Sequence, residues 1–146
     1  MEALSAGELL ESPGHALAVF GMGTTAAHFR VWDGVAWSAE DSVAAPAGET
    51  GTVRWTTLAS DPTSNRIALG TITTGNHAWL GVWDGSTWET TQLATAALPG
   101  QTYPGVAVAF GGLTGAALAV YGEGDATVRY RTWSSGGGWS AQQLGP

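Results

Sequence analysis

Arg30-Val-Trp-Asp-Gly-Val-Ala-Trp37, Gly81-Val-Trp-Asp-Gly-Ser-Thr-Trp88 and Arg131-Thr-Trp-Ser-Ser-Gly-Gly-Gly-Trp139 are three versions of one hairpin. Their first tryptophans, Trp32, Trp83 and Trp133, are separated by 51 and 50 residues, and six of the eight tryptophans of the chain lie in these stretches. An internal period of this size is the signature of a repeat architecture, in which each copy is one supersecondary unit that buries its apolar surface against its neighbours.

Working outward from the hairpins recovers the rest of the repeat. A short apolar strand ending in glycine precedes each one: Ala16-Leu-Ala-Val-Phe-Gly21, Arg66-Ile-Ala-Leu-Gly70 and Ala117-Leu-Ala-Val-Tyr-Gly122. Before these come Ala3–Leu10, Val53-Arg-Trp-Thr-Thr-Leu58 and Val106-Ala-Val-Ala-Phe110. The second has bulky residues in period-two alternation, as a strand with one buried face requires. Ala3–Leu10 in isolation reads as a short helix, but its place in the repeat makes it a strand. The turns agree: Ser12-Pro-Gly14, Ser60–Ser64 and Gly111–Gly115 close the first connection, and Asp33-Gly34, Asp84-Gly85 and Ser134–Gly138 the third. Asp-Gly between β-prone residues is a strong hairpin signal, because both residue types tolerate positive φ. The links Pro46–Thr50 and Pro99–Thr102 are also alike. The expected fold is all-β: three four-stranded antiparallel repeats of about 50 residues in one domain, at 1–45, 46–98 and 99–146.

At 146 residues, with 44% hydrophobic and 12% charged, the chain has enough apolar content for one complete core. There is no lysine, and five arginines against twelve acids give a net charge of −7. That balance repels phosphate backbones and anionic lipid, so neither nucleic acid nor a membrane is an expected partner. No apolar run reaches the ~18 residues of a membrane span. Met1–Gly14 lacks the basic head and apolar stretch of a signal peptide. Abundant Gly, Thr, Ser and Trp with few charges point to an extracellular or cell-surface setting, without excluding the cytoplasm. The absence of cysteine removes disulfides, thiolate metal sites and cysteine nucleophiles.

The Trp-Asp-Gly-x-x-Trp hairpin resembles that of small fucose-binding β-propeller lectins of bacteria and fungi. It is also similar to larger bacterial lectins built from Trp-x-Asp-Gly-rich blades. The resemblance covers the third and fourth strands of each unit, about a third of the chain. It implies propeller blades packed radially, with carbohydrate as the partner and no cofactor. Three blades do not close a ring, so it further implies a homodimer of six blades or a longer chain of which this is a part. A β-trefoil or a β-prism would close threefold within a single chain, although the Gln-x-Trp signature of trefoil lectins is absent. In the fucose lectins a glutamate stands three residues before the first tryptophan of the hairpin. Here Phe29, Leu80 and Tyr130 occupy that place.

The candidate binding residues are therefore the tryptophans. An indole face stacks on the apolar face of a sugar ring while its N–H reaches a hydroxyl. Trp37, Trp88 and Trp139, just past the turn, are the first choice. Trp32, Trp83 and Trp133 are the second, since one per unit on one face also suits packing between blades. Arg54, Arg66 and Trp79 occur in single units and read as surface or packing. No catalytic or metal site is expected. Gly-x-Ser-x-Gly elbows and phosphate loops are missing, His15, His28 and His77 are scattered, and Asp33 and Asp84 belong to turns. Glu123 and Asp125 lack the spaced acidic loop of a Ca²⁺ site. The leading functional reading is a non-catalytic, lectin-like module. The alternative is a structural or adhesive repeat of a bacterial surface or filament protein. The units are unequal, since the third turn is a residue longer and the second unit has a longer middle connection that contains Trp79. Any sites are therefore expected to differ.

Overall fold

The computed structural model describes residues 4–9, 14–95 and 104–146. Its elements are strands in three antiparallel sheets, each a meander in chain order. Sheet one holds β1 (Leu4–Leu9), β2 (His15–Gly21), β3 (Ala27–Trp32) and β4 (Asp41–Val43). Sheet two holds β5 (Val53–Ser60), β6 (Ile67–Thr73), β7 (Ala78–Trp83) and β8 (Trp88–Ala94). Sheet three holds β9 (Val106–Phe110), β10 (Ala117–Gly122) and β11 (Val128–Ser134), with two short segments, β12 (Gly138–Trp139) and β13 (Gln143–Leu144), both pairing with β11. The all-β expectation with four-stranded antiparallel sheets holds, and no sheet closes on itself among the described residues. Ser12, Pro13 and the link Pro99–Thr102 lie outside them.

Two local expectations change. Strand β6 does not stop at Gly70 but runs on through Thr71, Ile72 and Thr73, and Trp79 lies within β7 opposite Thr71 rather than in a connection. Three consecutive β-branched residues favour the extended backbone and extend the ladder. In hairpins one and three the strand after the turn breaks at the residue following the second tryptophan. Ser38 donates its N–H to Val31 O at 2.8 Å while its Oγ accepts from Val31 N at 3.0 Å. Ser140 repeats this with Thr132, at 2.7 and 3.1 Å. Hairpin two has Glu89 in that place, and its ladder runs on from Trp88 to Gln92 before a register shift at Leu93.

Sheet two lies between the other two, and its sequence shows why. Strands β2 and β10 alternate buried with half-buried or exposed positions, whereas every residue of β6 and β7 is buried. A strand covered on both faces must be apolar or small at every position. Towards sheet one, Ile67, Leu69, Trp79 and Trp83 meet Leu17, Val19 and Phe29. Towards sheet three, Ile72, Ala78 and Leu80 meet Val106, Ala119 and Tyr121, while Ala68 and Val82 meet Ala117 and Trp133.

Both junctions obey one rule. The face carrying the first tryptophan of a sheet packs on the opposite face of the sheet before it. The Trp32 face of sheet one, with Ala16, Ala18, Phe20 and Arg30, is therefore uncovered, as is the far face of sheet three, with Leu118, Val120 and Tyr130.

Candidate functional site

Each hairpin turn fixes where its second tryptophan starts. Gly34 and Gly85 take φ of +94° and +107°, while the aspartates before them stay at negative φ. Asp33 and Asp84 thus contribute through their carboxylates rather than through a left-handed backbone. Asp33 Oδ1 accepts the amides of Val35 and Ala36 at 2.9 and 2.8 Å. Asp84 Oδ1 accepts those of Ser86 and Thr87 at 2.8 and 2.7 Å, and both hydroxyls also donate to the Asp84 carboxylate. The Thr87 and Ser86 amides hold Asp84 down at about 2, against 3.8 for an ordinary aspartate. A carboxyl with a depressed folded pKa stabilises the fold above its ordinary value and loses that contribution as pH falls towards the folded one. Stability should accordingly decline between about pH 4 and 2. Asp84→Asn should flatten that acid limb in a chemical-denaturation series, and an unchanged limb would show that the turn carboxylate contributes nothing.

The six hairpin tryptophans form three separate pairs. Trp32 and Trp37 are 5.5 Å apart between ring centroids at 55°, on the uncovered face of sheet one, and Trp37 is 49% exposed. Trp83 and Trp88 are 5.4 Å apart at 50°, and Trp133 faces Trp139 across β11 and β12. Trp83 and Trp133 are buried between sheets, at 8% and 6% exposure.

The second pair lines a cleft of about 260 Å³ between sheets one and two. Phe29 of sheet one completes an aromatic corner there, 5.5 Å from Trp83 and 5.8 Å from Trp88. The rim is polar, with Asp41 and Ser42 from sheet one and Ser86 and Thr87 from the turn. Thr90 Oγ1 ties the two sheets together beside it, donating to Ala44 O at 3.0 Å. Trp88 leans inward because position 81 is glycine: a Cβ there would lie 3.1 Å from the Trp88 ring. Hairpins one and three carry Arg30 and Arg131 at the matching position. The Trp88 indole N–H is buried without a hydrogen-bond partner among the described residues, as are those of Trp55, Trp79, Trp133 and Trp139, so it is the ring of Trp88 that the cleft offers to a ligand.

The third pair is differently furnished. Arg66, held by Ser64 at 3.3 Å and 3.9 Å from buried Asp61, lies over the Trp133 ring at 5.7 Å and so takes a ring face that a ligand would need. Glu123 and Asp125 both close on Arg129, at 2.9 and 2.7 Å. His28 pairs with Glu40 at 3.0 Å, and His77 with Glu49 at 3.3 Å, where burial pushes the Glu49 carboxyl up. Among the described residues no group of three metal-ligating side chains converges. Sequence reasoning passed over Phe29, Asp41 and Ser42, which reach the cleft from the preceding unit. The Arg-x-Trp pattern of hairpins one and three, replaced by Gly-x-Trp in hairpin two, marks the same difference in the sequence.

No family model matches the chain, and no curated protein matches it. Solved structures do. The lectin of Aleuria aurantia in complex with α-methyl-L-fucoside is 18% identical at a TM-score of 0.61, covering 99% of this chain and 45% of that one. A second structure of that lectin, described as a six-bladed β-propeller with a novel fucose recognition mode, gives 18% and 0.63 over the same shares. AofleA of Arthrobotrys oligospora gives 15% and 0.63, with 41% of its chain covered. The chain spans less than half the length of each of these proteins. The likeness is one of fold: the three antiparallel sheets match part of the β-propeller of these lectins, the proteins that the hairpin motif resembles.

Proposed function

We propose that the chain is a non-catalytic carbohydrate-binding module whose three sheets serve as propeller blades. The observation that carries this reading is the aromatic corner of Phe29, Trp83 and Trp88 with the exposed Asp41 on its rim. A pyranose has apolar C–H faces and an equator of hydroxyls, so it matches aromatic walls with a few donors and acceptors at the edge. The hairpin lacks the glutamate of the fucose lectins, and Asp41 brings a carboxylate to the cleft from the neighbouring sheet instead. Fucose-binding neighbours of the same fold support the substrate class, a neutral sugar, rather than the identity of that sugar.

A second reading has its own support. Trp83 and Trp133 are core residues, and a purely structural repeat would need them just as much. Methyl glycosides of L-fucose, D-mannose, D-galactose and N-acetylglucosamine, followed by a glycan array, separate the two readings. Binding by the wild type should weaken at least ~10-fold in Trp88→Ala, the equivalent of ~1.4 kcal/mol of lost stacking and hydrogen bonding, with circular dichroism unchanged. Retention of no neutral glycan, or equal binding by the variant, would favour the structural module.

A further inference from the structure

The hydrogen bonds around the cleft beside Trp88 give it a chemical bias. Of the residues that line it, Asp41 alone is charged. Asp41 pairs with Phe29 across β3 and β4, so its side chain stands on the same face of the sheet as the Phe29 ring, about 5 Å away between Cβ atoms. Its Oδ1 accepts the Ser42 amide at 2.7 Å, and its Oδ2 has no partner among the described residues. Two of the three hydroxyls on the rim have already spent their hydrogens. Ser86 Oγ donates to Asp84 Oδ1 at 3.0 Å, and Thr87 Oγ1 donates to Asp84 Oδ2 at 3.1 Å. Their oxygens are left to accept only, and Ser42 alone among them keeps its hydrogen. No arginine lines the cleft, and the chain has no lysine. Arg30 of sheet one lies on the opposite, Trp32 face, 3.7 Å from Glu40.

A rim rich in acceptors and poor in donors selects a ligand by the hydrogens it donates. A sugar hydroxyl gives one hydrogen and brings two lone pairs, for which this rim has few donors. An ammonium gives three hydrogens and brings no lone pair. Its charge is attracted both by a carboxylate and by the faces of aromatic rings, and here three rings meet at centroid separations of 5.4, 5.5 and 5.8 Å. The net charge of −7 adds a long-range attraction for cations. We propose that the cleft takes protonated 2-amino-2-deoxy sugars in preference to their neutral counterparts, with the pyranose against Phe29, Trp83 and Trp88 and the ammonium paired with Asp41. This rests on the carbohydrate-binding reading for the stacked pyranose and adds a charge to its substrate class. Acetylation of the sugar nitrogen removes that charge and two of the three N–H donors, so Asp41 becomes the residue that tells glucosamine from N-acetylglucosamine.

Calorimetry with methyl glucosaminide, methyl N-acetylglucosaminide and methyl glucoside tests it, at low salt and at a mildly acidic pH where the amine is protonated. The wild type should bind the glucosaminide about fivefold more tightly than either neutral glycoside, the sum of a solvent-exposed ion pair and a cation–π contact. Added salt should erode the preference. Asp41→Asn should bring the three affinities to one level, and Trp88→Ala should weaken all three. Glu40→Gln removes the neighbouring charge, which lies outside the cleft beside Arg30 and His28, and should leave the preference intact. Equal binding of charged and neutral glycosides by the wild type would overturn the proposal and leave the carbohydrate-binding reading standing. A preference that survives Asp41→Asn, or that Glu40→Gln lowers as much, would trace it to overall charge and overturn it as well. Glucosaminide binding that Trp88→Ala does not weaken would mean an ammonium held without stacking, which contradicts both. Both also fall if none of the three glycosides binds the wild type.

Discussion

Trp79→Ala is expected to cost about 3–5 kcal/mol of folding stability, the range for deleting a large aromatic from a packed core. Trp79 is fully buried between sheets one and two, in the cluster with Leu17, Phe29, Leu69 and Trp83. Sheet two is flanked on both sides, so the cavity cannot be filled by collapse from solvent. For a chain of this length the loss corresponds to a fall in Tm of roughly 10–15 °C. Denaturant melts of the two proteins side by side check it. A shift below about 1 kcal/mol would mean that the junction of the first two sheets is not a packed interior. Trp88→Ala, at the half-buried rim of the same junction, should be far milder for stability, which separates the packing tryptophan from the binding one.

A comparable loss is expected from a single methyl group at Gly51→Ala. Gly51 lies in the link between sheets one and two at φ +77°, and a Cβ there would fall on the backbone nitrogen of Gly75 in the turn between β6 and β7. The crossing is tight because each strand of chain holds the other. Thr74 N donates to Thr52 O at 2.8 Å, Thr52 N to Thr74 Oγ1 at 2.9 Å, and Thr25 Oγ1 to Gly51 O at 2.6 Å. Left-handed strain and the overlap together should cost about 2–5 kcal/mol. Gly48→Ala supplies the control: it has a similar φ of +88° but open space around it, so it should lose only the conformational term of about 1–2 kcal/mol. Equal effects at the two positions would show that the crossing is not close.

The architecture was legible because its signals are local and come in triplicate. Val106–Phe110 and Ala117–Gly122 are apolar runs punctuated by glycines, and the structure places strands over these same residues. The run of Thr71, Ile72 and Thr73 was passed over because Gly70 looked like a stop by analogy with Gly21 and Gly122, whereas in sheet two a glycine is needed mid-strand. A Cβ at Gly70 would meet the Val106 side chain at 3.1 Å. That demand comes from a sheet some forty residues away in the chain, which no window of sequence contains. The contrast between Trp-Ser in hairpins one and three and Trp-Glu in hairpin two is plain in the sequence, and it decides where the strand breaks. Its meaning depends on one hydroxyl accepting a backbone amide across the hairpin, which residue counting does not reveal.

The candidate site was half legible for the same reason. Trp83 and Trp88 advertise themselves through repetition, but the walls opposite them do not repeat. Phe29, Leu80 and Tyr130 differ in chemistry at a single structural position, and Asp41 corresponds to Gln143 in the third unit. Divergence of that kind gives the corresponding positions of the three sheets different chemistry.

The most direct test of the account follows the eight indole N–H resonances of the protein while the four methyl glycosides are titrated in. Trp88 lines the cleft, whereas Trp79 is sealed in the core. The account predicts a saturable shift of the Trp88 resonance with at least one glycoside, with the Trp79 resonance unmoved. A spectrum in which the Trp88 signal stays in place up to saturating sugar would contradict it.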